Sequence, residues 1–395
     1  MTADAGGAGW DPFRRPVFLA TAATTLAGSP VFLFGGQAVQ IGSDLELSPA
    51  TLGVTVSLFF TLTALSSAVL GRAVQHTGVR WSLAATMTGS TVALLGLALS
   101  RSVVQLALSL ALGGLANGAV HPSSNLLLAS RSSRTPLGLS LGIKQSAPTA
   151  ASIGSGLAVP LIALTYGWRW SFVGSAVLSV VLGCMAMRLP ARLPGTATPT
   201  TVTPDAARGR RLLVMMAVAA GCGSAAGNSL GAFLVDYGVH DVGLAQASAG
   251  LAFALASMAG LCGRIVWGWV MDRRWSPRPL PLAIVLLLFG STGYVLIGTG
   301  SPVAYVLGAL VAYGFGWAWV TLLHYAVVSR HTDGAARATG VLMTGFAAGG
   351  FAGPLLLGQV AQGTGYHVVW FITACCNVVA GAVLWFALRR NGRRP

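Results

Sequence analysis

The segment VWGWVMDRRW (residues 266–275) closes a long apolar run with a glycine and a tight cluster of charges. A related segment, VLGRAVQHTGVR, stands at residues 69–80. When the two are aligned, Gly268 corresponds to Gly71, which lies 197 residues earlier. Two more pairs of segments, GIKQSA with GVLMTG and GWRWSF with GYHVVWF, share an offset of 198 residues. An offset that returns along a chain indicates an internal duplication, so we expect two related halves.

The composition places these halves in a membrane. Of the 395 residues, 54% are hydrophobic and 8% are charged, and the mean hydropathy is +0.73. Soluble domains carry about 25% charged residues. The net charge of +15 does not indicate a nucleic-acid partner, because the basic residues stand in short clusters between apolar runs rather than on one solvated face. Such a layout is typical of a multi-pass protein whose surroundings are a lipid bilayer.

Twelve apolar segments are long enough to cross a bilayer as helices, since a hydrocarbon core of about 30 Å requires about 20 residues. We therefore predict an all-α membrane protein made of two pseudo-symmetric six-helix bundles. Residues 1–189 and 212–395 form the bundles, and residues 190–211, rich in Pro, Thr, Ala and Arg, form the linker. The predicted spans lie near residues 16–41, 50–70, 81–100, 103–129, 136–164, 170–189, 212–235, 244–270, 279–299, 302–328, 337–361 and 367–389.

The arginines predict how the spans are oriented. Twenty of them fall in segments on the side of the two chain termini, Arg101 and Arg169 fall in loops on the other side, and Arg264 falls within a span. The positive-inside rule therefore predicts that both termini are cytoplasmic. The Ala-, Gly- and Arg-rich composition is typical of a bacterial genome of high GC content, so we expect a bacterial cytoplasmic membrane.

With this duplication and these motifs, the sequence resembles the major facilitator superfamily of secondary transporters over essentially its whole length. The most recognisable signature of that family, G-x-x-x-D-R-x-G-R-R, follows the eighth span as Gly268, Asp272 and Arg273. The resemblance implies that this loop fastens neighbouring helices together through its acidic residue and the helix ends.

The copy of this signature after the second span is degenerate. It keeps Gly71, Gly78 and Arg80, but Gln75 occupies the position of the aspartate. That half of the fastening therefore lacks its carboxylate.

A second signature, G-x8-G-x3-G-P-x2-G, is found on the fifth helix of exchangers and drug exporters in the family. Here it fits the eleventh span instead, as Gly340, Gly349, Gly353 and Pro354, with Gly358 one position late. Two interpretations remain open: an export function, or small residues that let helices pack closely.

Lys144 is the only lysine in the chain, and it lies inside the fifth span. It stands ten residues after Arg134 and about two helical turns, roughly 11 Å, inside the predicted span, where a charge costs about 2.5–3.5 kcal/mol to insert. The duplication pairs it with Leu342, so the fold does not require a cation there. Lys144 could extend to the headgroups, bind an anionic substrate, or be neutral.

Arg264, on the eighth span, is the second cation within the membrane, and its counterpart in the other half is Ser67. The resemblance implies that the fifth and eighth helices face each other between the halves, so Lys144 and Arg264 would approach at similar depth. Two interpretations of Arg264 stay open, substrate contact or helix packing and gating.

All nine acidic residues fall at or beyond the ends of the predicted spans. A buried carboxylate, the usual proton carrier of proton-driven family members, is therefore missing. Coupling to protons would fall to His121 or His324, whose pKa lies near neutrality, and coupling to a counter-anion is the alternative.

Other polar or aromatic side chains within the spans complete the candidate substrate site. Asn117, His121 and Asn125 recur every fourth residue and so share a helix face. Pro30 predicts a break in the first helix, near which the family often places substrate contacts. The remaining candidates are Gln37, Gln145, Asn228, Tyr313, Trp317 and His324.

Nothing in the sequence indicates an enzyme, because no nucleophile, phosphate-binding loop, cofactor motif or metal spacing stands out. We expect a monomeric secondary transporter working by alternating access, with a small organic anion as solute. The alternatives are an efflux antiporter for drugs or amphipathic metabolites and a non-transporting membrane sensor or scaffold.

Overall fold

The structure, a computed structural model, describes residues 14–129, 136–189, 206–273, 278–330 and 335–392. These residues are helical almost throughout and contain no strand. Twelve of the helices are long and apolar enough to cross a membrane, which confirms the predicted number of spans. We number them α1 to α12 in chain order.

The first six spans include several interrupted helices. Residues Pro49–Leu99 form one helical run that contains both α2 and α3 and turns at Gly78, whose φ of 79° favours glycine. The bounds are α1 Arg14–Gly36 with a continuation Ala38–Leu45, α2 and α3 within Pro49–Leu99, α4 Val103–Ala129, α5 Leu137–Gln145 and Ala147–Ala158 followed by a π-helical turn Val159–Ala163 and Leu164–Tyr166, and α6 Arg169–Met187.

The last six spans are α7 Ala206–His240, α8 Gln246–Met271, α9 Pro279–Gly298, α10 Pro302–Gly314 and Trp319–Arg330, α11 Ala335–Thr364, and α12 Tyr366–Gly392. The start of α7 thus falls within the segment expected to be the linker, and residues 190–205 lie outside the described part of the chain. Because successive spans run in opposite directions, the start of α1 and the end of α12 share one face of the bundle. We call it the terminal face, and the other side the opposite face.

The break in the first helix is not where the sequence indicates. We expected it at Pro30, but α1 continues through Pro30 and is interrupted at Gln37. A proline inside a membrane helix is tolerated where neighbouring helices and side chains compensate for the lost hydrogen bond. A second break, at Ser146 in α5, comes two residues before Pro148, which has no N–H to offer.

At the opposite face, contacts between the two sets of six helices are close. Gly35 of α1 lies so near the Gly231 carbonyl of α7 that a Cβ there would be 2.5 Å from the oxygen. The amide of Gln40 donates to the Gln246 side-chain oxygen over 3.0 Å, and the Ser57 hydroxyl donates to a carbonyl of α11 over 2.8 Å. These contacts close the opposite face between the halves.

A polar cluster fixes the end of the first helix at the same face. Asp44 accepts hydrogen bonds from the indole N–H of Trp168 and from Arg169, both at 2.9 Å. The Trp168 bond, and then Arg169, hold the pKa of the Asp44 carboxyl below its ordinary value. Arg169 also reaches the Ser100 carbonyl at 3.3 Å. The cluster therefore joins the ends of α1, α3 and α6.

Candidate transport site

Lys144 lies deep between helices, with 6% of its surface exposed. Its ammonium donates a hydrogen bond to the side-chain oxygen of Asn125 on α4. Among the described residues, no carboxylate lies within 4.0 Å of it. Lys144 is thus a buried amine whose hydrogen-bond partner among the described residues is a neutral amide.

Arg264 is buried even more completely, with 1% of its surface exposed. Its guanidinium donates to the Gln145 carbonyl of α5 and, over 3.4 Å, to the Trp317 carbonyl of α10. It also lies 5.0 Å from the centre of the Trp317 ring, within the range of a cation–π contact. Arg264 therefore ties α5 to α10, and its partner on α5, Gln145, is the residue that follows Lys144.

Gln145 connects the halves through its side chain as well. Its amide nitrogen lies 3.0 Å from Nδ1 and 3.3 Å from Nε2 of His324 on α10. The Nδ1 atom is also 2.8 Å from the Val320 carbonyl, which can only accept. These contacts match donors with acceptors when the imidazole is neutral, donates from Nδ1 to the Val320 carbonyl and accepts at Nε2 from the Gln145 amide.

We call Lys144 and Arg264 the cation cluster. The polar residues of α4 do not all contact it. Asn125 contacts Lys144, and half-buried His121 lies one turn before Asn125 on the same face of α4. The buried Asn117 instead donates to the Thr63 hydroxyl of α2 over 3.2 Å, within the same half. Asn125 thus holds the position nearest the lysine, and the spacing of four along α4 was the sequence signal for it.

Gln37 and Asn228 are both buried but stand apart from the cations. Gln37 begins the second segment of α1, and neither atom of its amide has a partner among the described residues. Asn228 donates to the carbonyl and hydroxyl of Ser224, one turn earlier on α7.

Tyr313 and Trp317 form part of an aromatic wall on α10. Their ring centres are 5.5 Å apart, and Tyr313 lies 5.9 Å from Phe253 of α8. Trp317 is packed so tightly against α7 that a Cβ at Gly227 would be 2.6 Å from its ring. These two residues serve the core of the second half, and Trp317 also carries the face on which Arg264 rests.

The signature after α8 joins the halves at the terminal face. Asp272 accepts backbone hydrogen bonds from Gly138 and Leu139, at 2.8 and 2.7 Å, in the first turn of α5. A helix start has unsatisfied N–H groups and a positive dipole end, so a carboxylate is favourable there. Gly268 permits this approach, because a Cβ there would be 3.0 Å from Gly142 Cα. Arg273 is not part of this contact and instead lies 3.8 Å above the Trp269 ring.

The copy of the signature after α2 is described only in part. The surroundings of Gly71 and the side chain of Gln75 lie outside what the structure describes. Gly78 makes the turn from α2 to α3, and Arg80 lies 5.4 Å from the Trp81 ring.

The glycines of the second signature are packing positions on α11. A Cβ on Gly353 would stand 2.5 Å from the Ala225 carbonyl of α7, and a Cβ on Gly349 would collide with the Gly221 carbonyl. The Pro354 carbonyl in turn faces Gly53 of α2 closely enough to exclude a Cβ. Gly340, the first residue of the signature, has nothing within 4 Å.

No group of His, Cys, Asp and Glu in the described residues is arranged to hold a metal ion. A cavity of about 350 Å³ opens at the opposite-face ends of α2, α4 and α11, where Val54, Val104 and Leu108 are exposed toward the membrane side. It is remote along these helices from the cation cluster.

Residues 17–354 match the family model described as Major Facilitator Superfamily. The chain belongs to the Major Facilitator Superfamily. Its fold is also that of a solved bacterial homolog to the human lysosomal transporter Spinster in an inward-facing and occupied conformation. The two share a TM-score of 0.73 and 16% identity over 96% of this chain and 98% of that one. The unoccupied form of the same homolog gives a TM-score of 0.72.

This chain is also similar to two kinds of curated protein. The human protein Monocarboxylate transporter 11 is 30% identical over 273 residues, which cover 64% of this chain and 56% of that protein. The mouse protein of the same name is 28% identical, and 59% of it is covered, so the chain spans little more than half the length of these relatives. The Chloramphenicol resistance protein of Streptomyces lividans is 26% identical over 89% of this chain and 91% of its own length.

Proposed function

We propose that this superfamily transporter moves a small organic carboxylate across the bacterial cytoplasmic membrane by alternating access, with Lys144 as the counter-charge of the substrate. The observation that carries the proposal is the environment of Lys144. A buried ammonium with one neutral amide partner and no carboxylate nearby leaves its charge uncompensated. An anion is the ligand that compensates it, and the relatives named monocarboxylate transporter are of a kind that would carry one.

Arg264 has a different role in this proposal. Two of its donor atoms are already used by backbone carbonyls on α5 and α10, and its face lies on Trp317. It supports the site as a fixed positive charge that also connects the halves, whereas Lys144 has two N–H groups left for a ligand. One free cation is matched to one carboxylate, so a substrate with a single negative charge suits the site better than a dianion.

His324 is the group through which this transport would be coupled to protons. A second proton on its ring would be placed on Nε2, where the Gln145 amide now donates, so the bond between α5 and α10 would have to rearrange. The positive charges of Lys144 and Arg264 repel a protonated His324 when the site is empty. A bound anion offsets these positive charges, so substrate binding favours protonation of His324 and couples the two events.

A second candidate function is export of amphipathic compounds. The observation that favours it is the similarity to the chloramphenicol resistance protein, which extends over nearly the whole of both chains. The aromatic wall of Tyr313, Trp317 and Phe253 would suit an uncharged aromatic solute. In this case Lys144 would not be required for transport.

Purified protein in liposomes separates the two candidates. Uptake and exchange of labelled monocarboxylates, dicarboxylates and chloramphenicol would be measured for wild type and for Lys144→Gln. We expect monocarboxylate transport that Lys144→Gln abolishes and Lys144→Arg partly restores. Arg188→Gln, which removes an exposed arginine at the end of α6, is the matched control.

Two results would contradict the proposal. If Lys144→Gln folds and carries monocarboxylates at the wild-type rate, Lys144 is not the counter-charge. If chloramphenicol is transported and no carboxylate is, the export function replaces the proposed one.

We also propose that both termini are cytoplasmic and that the protein is a monomer. The accessibility of single cysteines at each face would test the first, and the mass of the detergent-solubilised protein would test the second.

A further inference from the structure

Three arginines at the terminal face lie on aromatic rings at the membrane boundary. The guanidinium of Arg389 is 3.7 Å from the Trp385 ring, that of Arg390 is 4.9 Å from the Phe386 ring, and Arg273 covers Trp269 on α8. Trp385 and Phe386 remain 47% and 46% exposed. Aromatic residues are enriched at the level of the headgroups, so each pair places a positive charge at the height of lipid phosphates.

The end of α12 does not stand alone at this face. Both α7 and α9 pack against α12, and both begin at the terminal face with exposed arginines. The ends of these three helices at the terminal face carry five exposed arginines. This arginine patch comprises Arg210, Arg211, Arg278, Arg389 and Arg390.

The patch has no acidic partner among the described residues. The ion pairs among the described residues are Arg169 with Asp44 and His240 with Asp236, and both lie at the opposite face. The described carboxylate of the terminal face is Asp272, which is engaged by the first turn of α5. No carboxylate of the described residues therefore neutralises the patch.

We propose that the arginine patch binds the phosphate headgroup of an anionic phospholipid, with the acyl chains lying along the exposed apolar side of α12. Guanidinium groups bind phosphate oxygens in a bidentate manner and keep their charge at the membrane surface. Below the arginines, toward the membrane centre, α12 exposes Trp385, Phe386, Val379 and Val378. A charged headgroup site that continues into an apolar strip fits a lipid better than a soluble anion.

The site would stabilise the second half of the transporter rather than change the solute it carries. α7, α9 and α12 all belong to that half, so a lipid across their ends joins three helices that the chain connects only through other spans. The proposal does not depend on the identity of the solute, and its test needs no transport measurement.

The test uses the purified full-length chain in a neutral detergent, with the unfolding temperature as readout. Phosphatidylglycerol is titrated in, and phosphatidylcholine, glycerol phosphate and inorganic phosphate are titrated separately. We expect stabilisation by phosphatidylglycerol alone. Each arginine near an anionic lipid contributes about fivefold in affinity, so Arg389→Gln with Arg390→Gln should raise the half-saturating amount about 25-fold. Arg188→Gln, at an exposed arginine of the same face on α6, should leave it unchanged.

Three outcomes would overturn the proposal. Equal stabilisation by phosphatidylcholine would indicate an apolar effect without headgroup recognition, and equal stabilisation by inorganic phosphate would indicate a soluble anion site. An unchanged half-saturating amount in the double variant would place the lipid elsewhere. If the double variant does not fold, Arg210→Gln with Arg211→Gln makes the same test from α7.

Discussion

Asp272 offers the sharpest test of how the two halves are held together at the terminal face. Its carboxylate accepts two backbone hydrogen bonds from the start of α5, at 2.8 and 2.7 Å. The residue before α5 is Pro136, whose side chain cannot cap the helix, so Asp272 of the other half serves in its place. We expect Asp272→Asn to weaken this joint, because asparagine keeps one acceptor oxygen but loses the charge.

The magnitude follows from those two bonds. A charge-assisted bond is roughly twice as strong as a neutral one, and a charge at an exposed helix start adds about 0.3–1 kcal/mol. Asp272 is exposed, so we expect a loss of about 1–2 kcal/mol, within the range of a net hydrogen bond plus the dipole contribution. This corresponds to a change of about 5- to 30-fold in the ratio of closed to open molecules at the terminal face.

Spin labels at Leu137 and Ser329, which are exposed on α5 and on the end of α10, would report the separation of the halves. The five native cysteines would first be replaced, since Cys184, Cys262 and Cys375 are exposed. In Asp272→Asn we expect a larger share of long distances. Asp241→Asn, which removes an exposed carboxylate at the opposite face, should leave the distribution unchanged. An unchanged distribution in Asp272→Asn would refute the reasoning that this carboxylate holds the halves together.

Three further predictions concern stability and binding. Gly349→Ala should destabilise the protein by about 1–3 kcal/mol through overpacking, since the new Cβ collides with α7, whereas Gly340→Ala, which has open space, should be neutral; both are measured by thermal unfolding. The Asp44 carboxyl has a pKa held below its ordinary value by Trp168 and Arg169, so its stabilisation is present above about pH 4 and is lost as the pH falls further. The unfolding temperature of wild type should therefore drop more than that of Asp44→Asn between pH 6 and pH 3, and parallel curves would contradict this. Gln145→Glu adds a carboxylate next to Arg264 and His324, so the half-saturating concentration of a transported carboxylate should rise at least tenfold.

Much of the fold was accessible from the sequence because the bilayer restricts the possible structures. A segment of about 20 apolar residues in lipid has to satisfy its own backbone, and a helix is the structure that does so. Twelve such segments therefore predicted the spans, the arginine distribution predicted their orientation, and the offset between Gly71 and Gly268 predicted the duplication. The break in α1 was predicted at the wrong place, since Pro30 is compatible with the helix. The helix is interrupted at Gln37, and the sequence signal for this break is the pair Gly35-Gly36 just before it.

The sequence showed which unusual side chains lie within the spans, but not how they contact one another. Lys144 and Arg264 stood out because buried cations are rare in membrane spans. The sequence could not indicate that Arg264 is bound by the carbonyl of Gln145, or that the Gln145 amide meets His324. Those bonds join residues 119 and 179 positions apart, and each depends on how helices of different halves are turned toward each other.

The sequence by itself determined that this chain lies in a membrane as twelve helices, because hydropathy and helix length are local properties that lipid enforces on each segment. It also determined which residues are chemically unusual there. Only the tertiary structure decided their roles: Lys144 has a neutral partner and a free charge, Arg264 is tied to two helices, and Asp272 caps a helix of the other half. The physical reason is that hydrogen bonds and charge contacts act over about 3 Å, a distance that only the packing of distant helices sets.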